Sequence, residues 1–398
     1  MNVIFCMYEQ SESSYAKTLF APLYYELARE GHRVYFYRLT NAKNTEDIVP
    51  PSIQNNSFFT LTNVNIYGNF FHKVASAVKL CQQIKKLYEG NNDTRVIVRS
   101  VIPFLFLLPL LPGRKFRKSM IYDGDGIASL EAYEFRSQTL LRKIRNLSLL
   151  AIECFAVRAS SAIISRSSAT KFFYRRCVRL NSATSHLELD NCFQHNLTFF
   201  AESDLEDVEI PSRSKLGIDS NSIVFCLQGS IGPQYMIAET FKILTKLSES
   251  GLNVHLLWVS RQASLDQILA QFGKPKFPIS IKNATPIEVP RYLVLADFGI
   301  SIRANSRSMN HVKPLKTRDF LSCGVPIIYT CNTGDRQRFP MEIAFPVNFE
   351  HFEIERLKLW IQNTVSNRQT VASSCRRYYK DFFLLKEDVK RLNEFIVP

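Results

Sequence analysis

Several protein classes are excluded by what the chain does not contain. Its most apolar stretch, residues 101–112, is 12 residues long and carries three prolines, whereas a membrane-spanning helix needs about 20 apolar residues. That stretch is expected to be a buried helix or a hydrophobic wall. The opening residues, MNVIFCMYEQ, have no basic region ahead of an apolar run, so they read as a buried first strand and not as a signal peptide. The nine cysteines include no C-x-x-C pair and are odd in number. This pattern points to reduced thiols and a cytosolic setting, with Cys6 and Cys226 as small core residues of apolar strands. There is no helix-turn-helix, zinc-finger or RNP-type pattern, which argues against a nucleic-acid partner. With no internal repeat and no low-complexity run, the chain reads as an ordered, non-solenoid protein.

What is present fits a two-domain globular protein. A length of 398 residues exceeds one ordinary core, and domains of about 150–200 residues are the expectation. Hydrophobic residues make up 46% and aromatics 12%, enough to fill two interiors. The 50 Lys and Arg against 36 Asp and Glu leave a net charge of +14, which favours anionic partners. The basic residues cluster at Arg114-Lys115-x-Arg117-Lys118, Arg142-Lys143-x-Arg145, Arg175-Arg176 and Arg376-Arg377. Any one cluster alone reads first as a solvated helix end or loop. Together, interleaved with Phe, Leu and Tyr, they suggest a face that rests on an anionic membrane.

The first half begins as a β-α-β unit: a strand at 3–7, a helix at 14–30 stopped by Gly31, and a strand at 33–37. A helix at 73–88 and strands at 94–99 and 119–122 continue the pattern of a parallel sheet. Tyr122-Asp123-Gly124-Asp125-Gly126 then forms a loop, with Glu131 a few residues on. Paired carboxylates there can orient a hydroxyl or take its proton. A Gly-rich turn with solvated acids accounts for the same residues. Residues 201–215 read as an acidic linker. The second half opens with a strand at 223–227, the loop Gln228-Gly229-Ser230-Ile231-Gly232-Pro233, a helix at 235–248 and a strand at 254–259. Gly229 and Ser230 at a strand-to-helix turn allow backbone N–H groups to approach a phosphate.

Residues 296–330 carry the most information. A strand at 298–302 runs into a polar segment at 303–313, where an open α/β sheet holds its ligands. Pro314 suits a helix's first turn, and the unpaired N–H groups behind it attract anions. Lys316 and Arg318 add positive charge, and Asp319 can accept hydrogen bonds from two sugar hydroxyls. Gly324 caps the helix, and Pro326 opens the strand at 327–329. Arg303 leaves a buried strand toward the ligand position and is expected to be a second cation, with a salt bridge as the alternative.

The run Pro314-x-Lys316-x-x-Asp319-Phe320-Leu321-x-x-Gly324-x-Pro326-Ile327-Ile328 resembles the P-x-K-x-x-E-[YF]-L-x-x-G-x-P-V-I signature of retaining GT-B glycosyltransferases, family 4 in particular. Three further runs are similar to elements of that family: Val289-Pro-x-Tyr292-Leu-x-x-Ala296-Asp297, Leu27-Ala28-x-x-Gly31-His32-x-Val34, and Glu153 to Ser167. The resemblance implies that Lys316 binds the donor diphosphate and Asp319 the nucleotide ribose. It departs from the family in having Asp319 where Glu is usual, and in placing His311 on the first acid of the E-x7-E pair. The G-R-x-x-x-x-K-G pattern is degraded: Ser230 replaces Arg, and no Lys follows at Gln234 or Tyr235.

These readings imply an α/β GT-B fold: two Rossmann-like, doubly wound domains facing a cleft, with the C-terminal helix crossing back to the first. Domain bounds are set at 1–205 (acceptor), 206–375 (donor) and 376–398 (crossover helix, from apolar spacing along 376–396). The activity implied is sugar transfer from a nucleotide-sugar donor to a glycan or lipid-linked acceptor, with retention, as in bacterial capsule or lipopolysaccharide synthesis. Gly229, Ser230, Arg303, Lys316 and Asp319 are the donor residues. Asp123, Asp125, Glu131 and His311 are the catalytic and acceptor-positioning candidates. No metal or other cofactor is expected, and the protein is placed in the cytoplasm, peripheral on the inner membrane face. A sugar-nucleotide 2-epimerase and a non-catalytic GT-B-like scaffold remain the alternatives.

Overall fold

The structure is a computed structural model that describes residues 1–10, 15–41, 57–91, 93–124, 126–136, 139–178, 184–190, 209–261, 264–285, 288–334 and 339–397. The chain divides into two compact units. Met1–Gln194, Asn310–Lys313 and Leu385–Pro398 make the first; His195–Met309 and Pro314–Leu384 make the second. Most of the expected linker, residues 201–208, lies outside the described residues.

The first unit is built on strands β1 (Asn2–Glu9), β2 (Arg33–Thr40), β3 (Phe59–Asn65), β4 (Thr94–Arg99), β5 (Met120–Gly124), β6 (Ala162–Ser165) and β7 (Ser185–Glu188). They pair in parallel in the order β3-β2-β1-β4-β5-β6-β7. Continuous apolar runs such as Val3 to Met7 are buried because helices cover both faces of such a sheet. The edge strands β3 (FTLTNVN) and β7 (SHLE) are polar and only partly buried. Strand order reverses between β1 and β4, which puts a ligand-binding switch point at their carboxyl ends.

The helix expected at 14–30 is a π-helical turn, Ala16–Phe20, followed by an α-helix, Ala21–Arg29. The Ala16 N–H donates to Glu9 Oε1 at 2.8 Å, and Glu9 also pairs with Arg38 at 2.6 Å. Residues 101–112 contain a short helix, Val101–Leu107, and a 3-10 turn, Leu108–Leu110, with Val101, Phe104, Leu107 and Leu110 in the core.

The second unit holds β8 (Ile223–Gln228), β9 (Val254–Ser260), β10 (Ile279–Asn283), β11 (Phe298–Ser301), β12 (Ile327–Thr330) and β13 (Ala344–Val347). These are again parallel, in the order β10-β9-β8-β11-β12-β13, with the reversal between β8 and β11. Asp297 accepts the Val224 N–H at 2.8 Å and pairs with Arg213 at 2.9 Å and Arg368 at 2.6 Å. Its place in the V-P-x-Y-L-x-x-A-D run is therefore architectural.

The apolar spacing along 376–396 is not one helix. A helix over Arg368–Phe382 ends at Phe383 (φ −130, ψ 36), whose buried ring lies 4.8 Å under the Arg318 guanidinium. A second helix, Leu385–Ile396, belongs to the first unit. There Asn393 Oδ1 lies 2.7 Å from His32 Nε2, and Arg95 donates to the Ile396 carbonyl at 3.0 Å.

Candidate functional site

The switch point of the second unit gathers the chemistry. β8 delivers Gln228, Gly229 and Ser230, and β11 delivers Arg303, so these residues flank the reversal in strand order. Gly229 has φ +101, which favours glycine, and its N–H donates to the Val259 carbonyl at 2.7 Å. The Trp258 indole N–H donates to the Gly229 carbonyl at 2.9 Å, fixing the turn from the other side. A Cβ at Gly229 would stand 2.7 Å from Lys316 Nζ and 3.0 Å from its Cε. The missing side chain is what lets the lysine pass beneath the loop.

Lys316 and Asp319 sit one turn apart on the helix Leu315–Ser322. Pro314 is its N-cap, not its first-turn residue as expected, with φ −67 and ψ 115. At the other end Gly324, at φ +75, closes the helix through Gly324 N–H to Leu321 O and Val325 N–H to Phe320 O. Burial is the main reason that the Lys316 ammonium is pushed down to about 8, with Tyr235 acting against the fall and Arg303 with it. Burial likewise pushes the Asp319 carboxyl up to about 6, opposed by the Gln228 hydrogen bond and by Arg318 and Lys316. Gln228 Nε2 donates to Asp319 Oδ2 at 2.8 Å. Asp319 Oδ1, Gln228 Oε1 and Arg303 Nε are buried without a hydrogen-bond partner among the described residues. Orphaned polar atoms of this kind are costly unless a ligand completes them.

Arg303 is buried and anchored at its backbone, where its N–H donates to Thr330 Oγ1 at 2.9 Å. Its guanidinium carbon lies 4.2 Å from the centre of the Tyr235 ring, and Lys316 Nζ lies 3.8 Å from the same centre. Tyr235 was not among the expected site residues. It ends a 3-10 turn, Pro233–Tyr235, that precedes the helix Ile237–Glu249, so the expected helix start at 235 falls two residues early. Along the G-R-x-x-x-x-K-G pattern Tyr235 occupies the lysine position and Met236 the glycine position. Met236 adopts φ +49 and ψ +49, the conformation that glycine takes readily and other residues at a cost of about 1–2 kcal/mol. The displaced pattern was the available signal for this residue.

The structure brings Gly229, Ser230, Arg303, Lys316 and Asp319 together in the second unit. Asp123, Glu131 and His311 belong to the first, and Asp125 lies outside the described residues. Asp123 is fully buried at the end of β5, 3.1 Å from Arg99 and 2.8 Å from Arg166. A carboxylate held by two guanidiniums is fixed in place. Glu131 lies in the first turn of the helix Ala128–Arg136, partly buried. His311 is buried with its ring 5.4 Å from Phe173, and its carbonyl accepts the Ser167 and Thr170 hydroxyls at 3.4 Å each. Gly126, at φ +69, lies against that carbonyl. Glu153, from an architectural run, is buried and accepts from Ser129 at 2.8 Å and Tyr174 at 2.7 Å.

No family model matches the sequence, and no curated protein matches it closely. Solved structures do resemble it. The chain is similar to sucrose-phosphate synthase from Thermosynechococcus elongatus at 12% identity, covering 99% of this chain and 98% of that one with a TM-score of 0.69. It is similar to HepE from Anabaena, solved in complex with UDP and glucose, at 14% identity, with 99% and 98% covered and a TM-score of 0.66. A third is WaaG, a glycosyltransferase involved in lipopolysaccharide biosynthesis, at 15% identity, with 99% of each chain covered and a TM-score of 0.66. The fold is GT-B. In GT-B terms, the second unit described above corresponds to the half that the sequence motif marked as donor-binding, and the orphaned groups of Gln228, Arg303 and Asp319 lie in it.

Proposed function

We propose that the protein is a glycosyltransferase that takes a sugar from a nucleotide-sugar donor. The observation that carries this reading is the conjunction of Lys316, threaded under Gly229, with the unsatisfied Asp319 Oδ1 one helical turn away. Solved GT-B structures include HepE with UDP-glucose, which supports a uridine diphosphate sugar as the first donor to try. Lys316 and Arg303 stabilise the negative charge that grows on the leaving diphosphate, an electrostatic contribution that outweighs most others in group transfer. The Gly229 N–H is taken by Val259, which leaves the amides that follow it in the turn for the same phosphates, and Asp319 accepts hydrogen bonds from the ribose diol.

On the acceptor side, Asp123 anchors the loop after β5 through Arg99 and Arg166, and Asp125 and Glu131 are the carboxylates assigned to orient the acceptor hydroxyl. His311 positions the segment that contacts Gly126. We infer a retaining course and a glycan or lipid-linked acceptor of surface-polysaccharide synthesis, on the strength of the motif resemblance and the likeness to WaaG. The basic and apolar exposed face of the helix Leu140–Ala159 supports a peripheral position on an anionic membrane.

A thermal-shift panel of UDP, GDP, CDP, ADP and their sugar conjugates tests the donor assignment on the native protein and on Lys316→Ala. A ligand at a hundred times its Kd adds about 2.7 kcal/mol, and that gain should vanish in the variant. Failure of every nucleotide to stabilise a folded native protein overturns the reading. The scaffold alternative keeps one observation in its favour, Tyr235 and Met236 standing in the place of Lys and Gly. It predicts nucleotide binding with no hydrolysis or transfer of the bound sugar.

A further inference from the structure

We propose that the Tyr235 side chain is an internal ligand of the Lys316–Arg303 cation pair, seated on the anion site, and that a nucleoside diphosphate enters by displacing it. This rests on the donor site proposed above and adds to it a gating residue. Three observations carry it. The ring is the shared neighbour of both cations, at 3.8 and 4.2 Å, so an anion bridging Lys316 and Arg303 from that side meets the ring first. The phenol has the chemistry of a weak anion mimic: Lys316, then Arg303, pull its ionisation down to about 7 against burial, with hydrogen bonds from Arg303 and Ser230. The segment that bears it is short and has unusual backbone at both ends. Gly229 and the left-handed Met236 bracket it, and the tie from the Ala304 N–H to the Gln234 carbonyl, 3.0 Å, holds its outer end.

The charged groups acting on the phenol are Lys316, from the helix Leu315–Ser322, and Arg303, from the loop after β11; Ser230 adds a hydroxyl from the loop after β8. Asp319 acts on Lys316 from one turn further along the helix. Buried cations without a counter-charge are costly, and the tyrosine lowers that cost until an anion binds. An entering diphosphate supplies two or more negative charges to the same cations. Once released to water, the phenol returns to its ordinary value near 10 and is protonated at pH 8.

Displacement therefore has a spectroscopic signature separate from catalysis. Tyrosinate absorbs at 295 nm, where inorganic pyrophosphate is transparent. Native protein at pH 8 should show a tyrosinate band that is missing in Tyr235→Phe, and saturating pyrophosphate or UDP should abolish it. At pH 8 a group ionising near 7 leaves about one molecule in ten in the protonated, ligand-ready form. The Phe variant keeps the ring and removes this requirement, but it also removes the phenolate that supports the Lys316 charge, so the decisive readout is loss of the native band on pyrophosphate binding and not a gain in affinity. Binding that leaves the Tyr235 band unchanged overturns the displacement while sparing the donor site. Absence of a Tyr235-dependent band at pH 8 also overturns it. If neither pyrophosphate nor UDP binds native protein, the donor assignment and this inference fall together.

Discussion

Lys316 keeps its charge where the fold opposes it. Its folded-state value is depressed to about 8 from 10.5, chiefly by burial. The stability associated with a neutral amine is thus fully present above pH 10.5 and is lost as the pH falls through 8. At neutral pH the residue serves an anion at the expense of the fold. Lys316→Met is expected to raise stability at pH 7 by about 1–3 kcal/mol, with the gain shrinking between pH 8 and 10.5, and to remove nucleotide binding. Thermal unfolding followed across that range checks it; a variant less stable than native at pH 7 contradicts the argument. Asp319 has the opposite sign. Its folded value is raised to about 6 from 3.8, so stability from the neutral carboxyl is complete below 3.8 and lost as the pH rises through 6. Asp319→Asn should match native stability near pH 4 and exceed it above pH 6, by up to about 3 kcal/mol at 1.36 kcal/mol per unit. At Gly229 the backbone disfavours a side chain, and a Cβ would displace the end of Lys316. Gly229→Ala should cost about 1–2 kcal/mol for the φ of +101 and weaken nucleotide binding at least tenfold, since its Cβ pushes on Lys316 Nζ. Calorimetric titration with UDP reads the second effect.

Among the elements, the helix Leu315–Ser322 separates stability from binding along its length. Lys316 and Asp319 lie toward its start and middle, whereas Gly324 closes its far end, where a Cβ would press on the Arg376 guanidinium at 3.0 Å. Gly324→Ala should destabilise by about 1–2 kcal/mol, from its φ of +75, yet change the UDP affinity by less than twofold; urea unfolding and calorimetry together check the separation. This helix was legible in the sequence because Pro, Gly and Pro punctuate it. The central strands were legible for a similar reason: β1, β4, β8, β9, β11 and β12 are apolar runs buried on both faces. Strands β3, β7, β10 and β13 were missed: the first three carry no continuous apolar run, as in SHLE, and β13 (AFPV) is only four residues long with a proline inside it. The break at Phe383 was hidden by spacing that stays helical on both sides of it. At the site, the cations and acid that follow helix signals were found. Tyr235 was not, because its role comes from two cations that lie 68 and 81 residues away in sequence and meet it only in the fold.

For the whole molecule, the question is where a net charge of +14 acts. None of the described helices is long and apolar enough to cross a membrane. The helix Leu140–Ala159 nevertheless leaves an apolar row in water, with Leu140 73% and Leu141 79% exposed and Ile144 and Leu147 about half exposed. Arg142, Lys143 and Arg145 are interleaved with that row and also exposed. An apolar row framed by cations suits the interfacial zone of an anionic bilayer, where the side chains sink into the headgroup boundary and each cation contributes about 1 kcal/mol. The protein should therefore sediment with vesicles containing phosphatidylglycerol at low salt, not with pure phosphatidylcholine vesicles, and should be released as salt screens the attraction. Reversing the three charges with Arg142→Glu, Lys143→Glu and Arg145→Glu should weaken that binding at least tenfold. Because these side chains lie in solvent, the circular dichroism and UDP affinity of the triple variant should stay native. Equal sedimentation of native and variant protein would assign the positive charge to the donor and to solubility, and remove the membrane from the proposed function.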